Sequence, residues 1–184
     1  MMISGLYYFP DFLDASTQKT LLHQIDQQTW SHELKRRVQH YGYRYDYRAR
    51  KVDSRLRLGL LPEWLTVFAD QLYQRRIFDS VPDQIIINED VPGQGIAAHV
   101  DCEPCFGEVI ASLSLGSACI MRFSNDADNR VVDVPLQAGS LIVLSDEARY
   151  QWKHAIPARK SDIINGKKRI RRRRVSVTFR SVML

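Results

Sequence analysis

The chain has 184 residues, 45% of them apolar, which is enough for one domain with a substantial core. Its apolar runs, such as residues 141–144, are far shorter than the ~20 residues that a membrane-spanning helix requires, and residues 1–11 lack a secretory signal pattern. The formal net charge of +5 favours a polyanionic partner over an acidic protein or a neutral metabolite. These features predict a cytoplasmic protein that does not enter a membrane.

Two amphipathic helices are predicted in the N-terminal part of the chain. The first spans residues 14–30 and starts with the cap-forming residues Asp14 and Ser16. The second starts at Pro62 and Glu63, and both helices place apolar residues at helical spacing. The polar, aromatic-rich segment between them contains a first group of basic residues: Lys35, Arg36, Arg37, Arg44, Arg48, Arg50 and Lys51.

From Asp83 onward, short β-rich runs alternate with Gly, Pro, Asn and Asp. The runs are residues 84–88, 109–115, 119–124, 131–135, 140–145 and 174–182. They predict a mainly β fold, a sandwich or barrel, with the two helices packed outside it. Residues 157–173 form an irregular insertion with a turn signal at Asn165-Gly166.

A second basic group overlaps this insertion, because Lys or Arg fills seven of the eight positions from 167 to 174. Each basic group alone could be a solvated surface. Two such groups in one small chain favour a nucleic-acid partner.

A metal site is predicted from His99, Asp101 and His154. In an extended segment, His99 and Asp101 point to the same face and can bind one ion. With His154 they make the two-histidine, one-carboxylate set that holds non-haem Fe(II) and leaves positions open. The alternative is a structural zinc site formed by Cys102 and Cys105 beside His99. Because the cysteine count is odd and no secretory signal is present, we expect no disulfide framework.

The C-terminal run, residues 174–180, alternates strictly between apolar and polar side chains. The polar set is Arg174, Ser176, Thr178 and Arg180. An inward-facing arginine favours a carboxylate ligand, so the two arginines could hold opposite ends of a small dicarboxylic acid. An edge strand with a solvated polar side fits the same pattern.

These residues together resemble the AlkB family of Fe(II)/2-oxoglutarate dioxygenases. The likeness also includes residues 88–99, 112–117 and 149–154, and it extends from Asn88 to the C-terminus. It implies a double-stranded β-helix, or jelly roll, with N-terminal helices as an outer layer. The expected single domain then has helices and a substrate lid in residues 1–82 and the jelly-roll core in residues 83–184. Fe(II), 2-oxoglutarate and O2 are the implied cofactors.

The resemblance assigns a role to each matching position. His99, Asp101 and His154 would be the iron ligands, and Arg174 would bind the distal carboxylate of 2-oxoglutarate. Arg180 and Asn88 would help to hold the cosubstrate, and Ser176 would place a hydroxyl beside Arg174.

The sequence departs from the family pattern at two positions. Asp90 stands where the family usually has a tyrosine that donates to 2-oxoglutarate. A carboxylate there would repel a dicarboxylate unless it turns away or is neutralised, so we expect lower cosubstrate affinity. Ala155 replaces a frequent glycine after the last iron ligand, which is a mild change.

Substrate contacts are predicted at two places. Glu103, just after the iron motif, is placed to contact a target base. Tyrosines interleaved with arginines lie where the family has its nucleotide-recognition lid, and such a surface can stack on an extruded base. The residues are Tyr41, Tyr43, Arg44, Tyr45, Tyr47, Arg48 and Arg50. An edge strand that packs its tyrosines on the core would show the same spacing.

The resulting hypothesis is hydroxylation or oxidative dealkylation of modified bases in DNA or RNA, with tRNA among the candidates, by a monomer. In the family's chemistry, a hydroxylated N-alkyl carbon leaves as an aldehyde. The alternatives are a protein or lipid hydroxylase or demethylase of the same class, and a nucleic-acid-binding module that no longer turns over.

Overall fold

The computed structural model describes residues 3–184. Within them lie three α-helices, one short 3-10 helix at Ser54–Leu56 and twelve β-strands. The helices are α1 (Ala15–Asp26), α2 (Glu63–Gln74) and α3 (Asp146–Tyr150). The strands are β1 (Leu6–Phe9), β2 (Arg37–Tyr41), β3 (Gln84–Asp90), β4 (Ile96–His99), β5 (Phe106–Gly116), β6 (Cys119–Asn125), β7 (Arg130–Leu136), β8 (Leu141–Leu144), β9 (Lys153–Ile156), β10 (Ser161–Ile164), β11 (Lys167–Ile170) and β12 (Arg174–Val182).

Two antiparallel sheets form the body of the described chain. The larger sheet has the order β1-β8-β5-β12-β3-β2, and the smaller sheet has the order β4-β9-β6-β7. From β3 onward the chain passes repeatedly between the two sheets, and α1 and α2 cover one face of the larger sheet. This arrangement confirms the predicted jelly roll with N-terminal helices outside.

The helical layer is built as the sequence predicts. Asp14 caps α1, because its carboxylate accepts a hydrogen bond of 2.7 Å from the backbone N–H of Thr17. The helix ends at Asp26 rather than at Trp30. One core cluster joins the helices to the outer face of the larger sheet, and its members include Leu21, Ile25, Leu65, Leu72, Ile85, Ile87, Leu113 and Val177.

The opposite face of the larger sheet turns towards the smaller sheet. A second apolar cluster fills part of the space between the sheets, and its members include Phe106, Met121, Phe123, Ile142 and Trp152. The remaining space is a cavity of about 690 Å³. Strand β12 lies between β5 and β3, in the interior of the larger sheet, and therefore positions its inner side chains along this cavity.

Three local expectations were wrong. Residues 157–173 are not irregular, since β10 and β11 form a hairpin whose turn residues, Asn165 and Gly166, have φ of 51° and 73°. Positive φ at both positions is what a two-residue hairpin turn requires. The boundary at residue 82 divides the larger sheet, because β1 and β2 precede it and supply its two edges.

The third correction concerns the cysteines. Cys102 and Cys105 form a disulfide, although the sequence predicts no disulfide framework. The turn between them brings their Cα atoms to 5.2 Å, within the range that a disulfide requires. Cys119 is free and buried. With both sulfurs of the pair bonded to each other, no thiolate from Cys102 or Cys105 is available for the alternative zinc site.

None of the helices formed by residues 3–184 combines the length and the apolar character needed to cross a bilayer. The longest of them have 12 residues.

Candidate functional site

The pairing of two short strands brings together the predicted metal ligands. Strands β4 and β9 are antiparallel, and their register places His99 directly opposite His154. Asp101 lies two residues beyond the end of β4, beside this pair of histidines. One ligand atom from each of the three residues lies within 4.8 Å of the other two. The structure therefore brings together all three residues that the sequence singled out.

The polar atoms of this cluster fit a metal ion. The Nδ1 atom of His99 lies 2.8 Å from the carbonyl oxygen of Ala97, so the ring can donate there and keep Nε2 free as a ligand atom. Oδ2 of Asp101 and Nδ1 of His154 are buried and find no hydrogen-bond partner among residues 3–184. Two imidazoles and one carboxylate are the donor set of non-haem Fe(II) oxygenases.

The electrostatics of the cluster favour the protonation state that binds a metal. Burial disfavours ionisation of Asp101, but Arg180 and the two histidines outweigh it and lower the pKa of Asp101 to about 2. Desolvation lowers the pKa of His154 to about 4. At neutral pH the carboxylate is charged and the His154 imidazole is neutral, so neither must lose a proton before it binds a metal.

The polar side of β12 lines the cavity. Arg174, Ser176, Thr178 and Arg180 all contribute to the cavity wall, whereas Val175, Val177 and Phe179 belong to the core cluster beneath the helices. The alternating pattern thus marks an interior strand. An edge strand with a solvated polar side is not what forms, because β12 is paired on both sides.

The two β12 arginines meet different carboxylates. The Nη2 of Arg180 donates to Oδ1 of Asp101 at 2.9 Å, and this contact fixes the orientation of the metal-site carboxylate. Arg174, at the other end of the polar row, has its Nη1 3.3 Å from Oδ2 of Asp90 and its Nη2 2.9 Å from Oγ of Ser114. Asp90 therefore does not turn away from Arg174. It is paired with this cation, which is the second of the two conditions under which a carboxylate here could tolerate a dicarboxylate ligand.

Asn88 also reaches the cavity, as the sequence predicts. Its Oδ1 accepts a hydrogen bond of 2.8 Å from Nε of Arg36. Arg36 is itself a lining residue, and so are Tyr47, Arg50 and Lys153. The sequence placed Tyr47 and Arg50 in the predicted lid, but it did not place Arg36 or Lys153 at the site. The available signal for Arg36 was its position in the basic segment between α1 and α2, and for Lys153 it was its position beside His154.

The predicted substrate residues are only partly brought to the cavity. Tyr45 lines it and packs against Phe106 with ring centroids 5.7 Å apart. Tyr41 instead packs edge-to-face on Trp64, and burial raises its pKa to about 12. Tyr43 lies in the core cluster between the sheets.

The two remaining substrate residues lie outside the cavity wall. Arg44 is exposed and donates to Glu33 at 2.9 Å. Glu103 is exposed on the turn between the bonded cysteines. The tyrosines of this segment are therefore divided: Tyr41 ends an edge strand and packs on the core, whereas Tyr45 and Tyr47 line the cavity.

Arg149 is a residue of the site whose role the sequence did not reveal. It is 1% exposed, on the short helix α3, and its guanidinium donates to backbone carbonyl oxygens in the 101–107 segment. Its partners are Asp101 (2.9 Å), Cys102 (3.4 Å), Phe106 (3.3 Å) and Gly107 (3.3 Å). Arg149 therefore fixes the backbone that follows β4 and carries the metal-site carboxylate.

Comparison with known proteins gives the same assignment. The family model of the 2OG-Fe(II) oxygenase superfamily matches residues 5–180. The chain is 37% identical over 204 residues to the alkylated DNA repair protein ALKBH8 homolog of Arabidopsis thaliana, a match that covers 98% of this chain and 59% of that protein. It is 39% identical over 165 residues to the tRNA (carboxymethyluridine(34)-5-O)-methyltransferase alkbh8 of Xenopus tropicalis, covering 87% of this chain and 26% of that protein.

The fold comparison agrees. The solved structure of OsALKBH1 superposes with a TM-score of 0.71 at 16% sequence identity, covering 96% of each chain. The two curated relatives above are longer proteins, of which this chain spans about 59% and 26% respectively. The family match over residues 5–180 and the triad geometry confirm an oxidoreductase that uses Fe(II), 2-oxoglutarate and O2. The chain belongs to the 2OG-Fe(II) oxygenase superfamily, as an AlkB-like dioxygenase.

Proposed function

We propose that this dioxygenase hydroxylates or oxidatively dealkylates modified bases in nucleic acid, with DNA and RNA, including tRNA, as candidate substrates. The supporting observation is the cavity, which has the triad in its wall and both aromatic and cationic groups around it. Tyr45 and Tyr47 offer faces on which an extruded base can stack, and Arg36 and Arg50 can meet its phosphates. The names of the plant and frog relatives, alkylated DNA repair and tRNA modification, point to the same substrate class.

Each residue of the site has a role in this proposal. His99, Asp101 and His154 hold the iron and leave positions open, and Arg180 keeps the Asp101 carboxylate in place. Arg174 holds the distal carboxylate of 2-oxoglutarate, with Asn88 and Ser176 as further polar contacts along the cavity wall. When bound, iron and 2-oxoglutarate supply oxygen activation coupled to decarboxylation of the cosubstrate to succinate. Tyr41, Tyr43, Arg44 and Glu103 stay predicted substrate residues, although they lie outside the cavity wall in this structure.

Succinate release tests the function. Protein, Fe(II), ascorbate and 2-oxoglutarate are incubated with methylated oligonucleotides or with bulk tRNA, and the bases are compared by mass spectrometry before and after. We expect nucleic acid to stimulate succinate release and one modified base to change mass. Stimulation by peptides or lipids alone would instead support the alternative substrate classes, and absence of stimulation by either nucleic acid would refute the proposal.

The exposed hairpin strand β11 gives a second test of nucleic-acid binding. Lys167 and Arg169 are exposed on it and form no ion pair within residues 3–184. We expect Lys167→Ala/Arg169→Ala to weaken nucleic-acid binding for all sequences and to reduce the slope of log Kd against log salt by about 1 to 2. Fluorescence anisotropy with a labelled oligonucleotide at several salt concentrations measures both quantities.

The matched control for the hairpin is Lys19→Ala/Arg76→Ala, which removes two exposed cations from α1 and from the residues just after α2. We expect it to leave the salt slope unchanged. Equal slopes for the two double variants would mean that β11 does not contact phosphates.

A monomeric state and a cytoplasmic location remain further predictions. Light scattering coupled to gel filtration tests the monomeric state.

A further inference from the structure

Asp90 is the last residue of β3 and lies directly opposite Arg174, the first residue of the polar row on β12. Strands β3 and β12 are antiparallel, and their register pairs these two residues. Both are buried, with 5% of Asp90 and 3% of Arg174 exposed. Oδ2 of Asp90 is 3.3 Å from Nη1 of Arg174, which lines the cavity. Asp90 itself does not line the cavity, so a ligand there meets the guanidinium with a carboxylate behind it.

This contact is incomplete as an ion pair. Charge-assisted hydrogen bonds between nitrogen and oxygen are typically about 2.7–2.9 Å, and the Asp90–Arg174 contact is longer. Oδ1 of Asp90 and Nε of Arg174 are both buried without a hydrogen-bond partner within residues 3–184. Ser114 occupies the other terminal nitrogen of Arg174. The guanidinium therefore remains available to a ligand, while its charge is largely offset by Asp90.

The neighbouring arginines are paired with a different carboxylate, behind the cavity wall. Arg171 is the next buried arginine before Arg174, and it donates both Nε and Nη2 to Asp162. Arg159 also donates to Asp162. The two arginines share this one carboxylate, which offsets half of their charge, and none of the three residues lines the cavity. Because Arg174 lines the cavity and these residues do not, the field on an anion bound at Arg174 depends mainly on the Arg174–Asp90 pair.

We propose that Asp90 is a specificity-determining residue for the cosubstrate, which lowers both the affinity for 2-oxoglutarate and the preference for a charged distal group. The inference rests on the proposed placement of the distal carboxylate at Arg174. Because the pair is nearly neutral, binding a second carboxylate there gains less than binding to an isolated arginine would. The subsite therefore distinguishes only weakly between 2-oxoglutarate and a 2-oxo acid of the same shape with an uncharged distal end.

The test measures binding without turnover, in protein loaded with Mn(II). Isothermal titration calorimetry gives Kd for 2-oxoglutarate and for its methyl-ketone analogue, in which a methyl group replaces one distal oxygen and removes the charge. At an effective dielectric constant of about 20, removing the Asp90 charge should tighten 2-oxoglutarate binding about 10- to 100-fold in Asp90→Asn. The Kd of the uncharged analogue should stay nearly the same.

Asp133→Asn is the matched control. Asp133 lies on β7, away from the cavity wall, and is paired with Arg122 at 2.8 Å. We expect its removal to leave both Kd values unchanged. Unchanged or weaker 2-oxoglutarate binding in folded Asp90→Asn would overturn the proposal, and weaker binding would make Asp90 a residue that positions Arg174.

The wild-type protein alone also tests the proposal, so a variant that fails to fold does not block it. We expect wild type to prefer 2-oxoglutarate over the uncharged analogue by less than about tenfold, whereas an arginine without Asp90 would give a preference of about 100-fold or more. A preference of that larger size in wild type would contradict a neutralising Asp90. If 2-oxoglutarate binds to neither protein, the cosubstrate placement and the role of Asp90 both fail. If it binds as expected but nucleic acid gives no turnover, only the proposed substrate fails.

Discussion

Replacing His99 with Ala is expected to abolish turnover while leaving the free energy of unfolding almost unchanged. The His99 side chain is 36% exposed, and its hydrogen-bonding contact is with the carbonyl of Ala97, two residues away. Little of the fold depends on it. A metal held by one histidine and one carboxylate loses the geometry that the reaction requires, so we expect succinate release to fall by roughly three orders of magnitude or more.

Asp101→Ala is the informative contrast, because it should lose turnover and stability together. Arg180 is 9% exposed and donates to Asp101, so the variant leaves a buried guanidinium without its carboxylate. Breaking a buried pair in this way costs about 3–5 kcal/mol. Succinate release, Mn(II) titration and urea denaturation of both variants measure the difference. Substantial turnover by His99→Ala, or an unchanged unfolding midpoint for Asp101→Ala, would contradict this division of roles.

The sequence predicted those parts of the site that local periodicity encodes. In an extended chain, side chains two apart share a face, so His99 and Asp101 could be placed together before the fold was known. The same rule separated Arg174 and Arg180 from the apolar residues between them. These expectations depend only on neighbours along the chain, and the cavity lining agrees with them.

What the sequence could not supply are contacts across the sheet. Asp90 and Arg174 are 84 positions apart, and only the β3–β12 register makes them partners. Whether Asp90 turns away or pairs with a cation was therefore open until the register was known. The disulfide is a different case, because an odd number of cysteines says nothing about the turn that brings Cys102 close to Cys105.

Arg149 shows why a buried cation is hard to interpret from sequence. An arginine in a short helix is usually taken as exposed or paired with an acid, whereas the hydrogen bonds of Arg149 go to main-chain carbonyls. Burial lowers its pKa, because the lost hydration disfavours the charged guanidinium. The compensation comes from carbonyl dipoles along the segment that joins β4 to β5, so this segment and the arginine depend on each other.

Arg149→Met is expected to lower the free energy of unfolding by about 2–4 kcal/mol, because several buried carbonyls lose a charged donor at once. The Asp101 carbonyl is one of them, so the metal-site carboxylate becomes less well oriented and Mn(II) affinity should fall about 10- to 100-fold. Urea denaturation and Mn(II) titration measure the two effects. Arg122→Met removes a partly exposed arginine paired with Asp133 and should cost no more than about 1 kcal/mol. If Arg149→Met lost stability but bound Mn(II) as wild type does, Arg149 would support the fold without orienting the metal site. Loss of both stability and Mn(II) affinity would show that Arg149, on the helix α3 that follows β8, holds Asp101 in position.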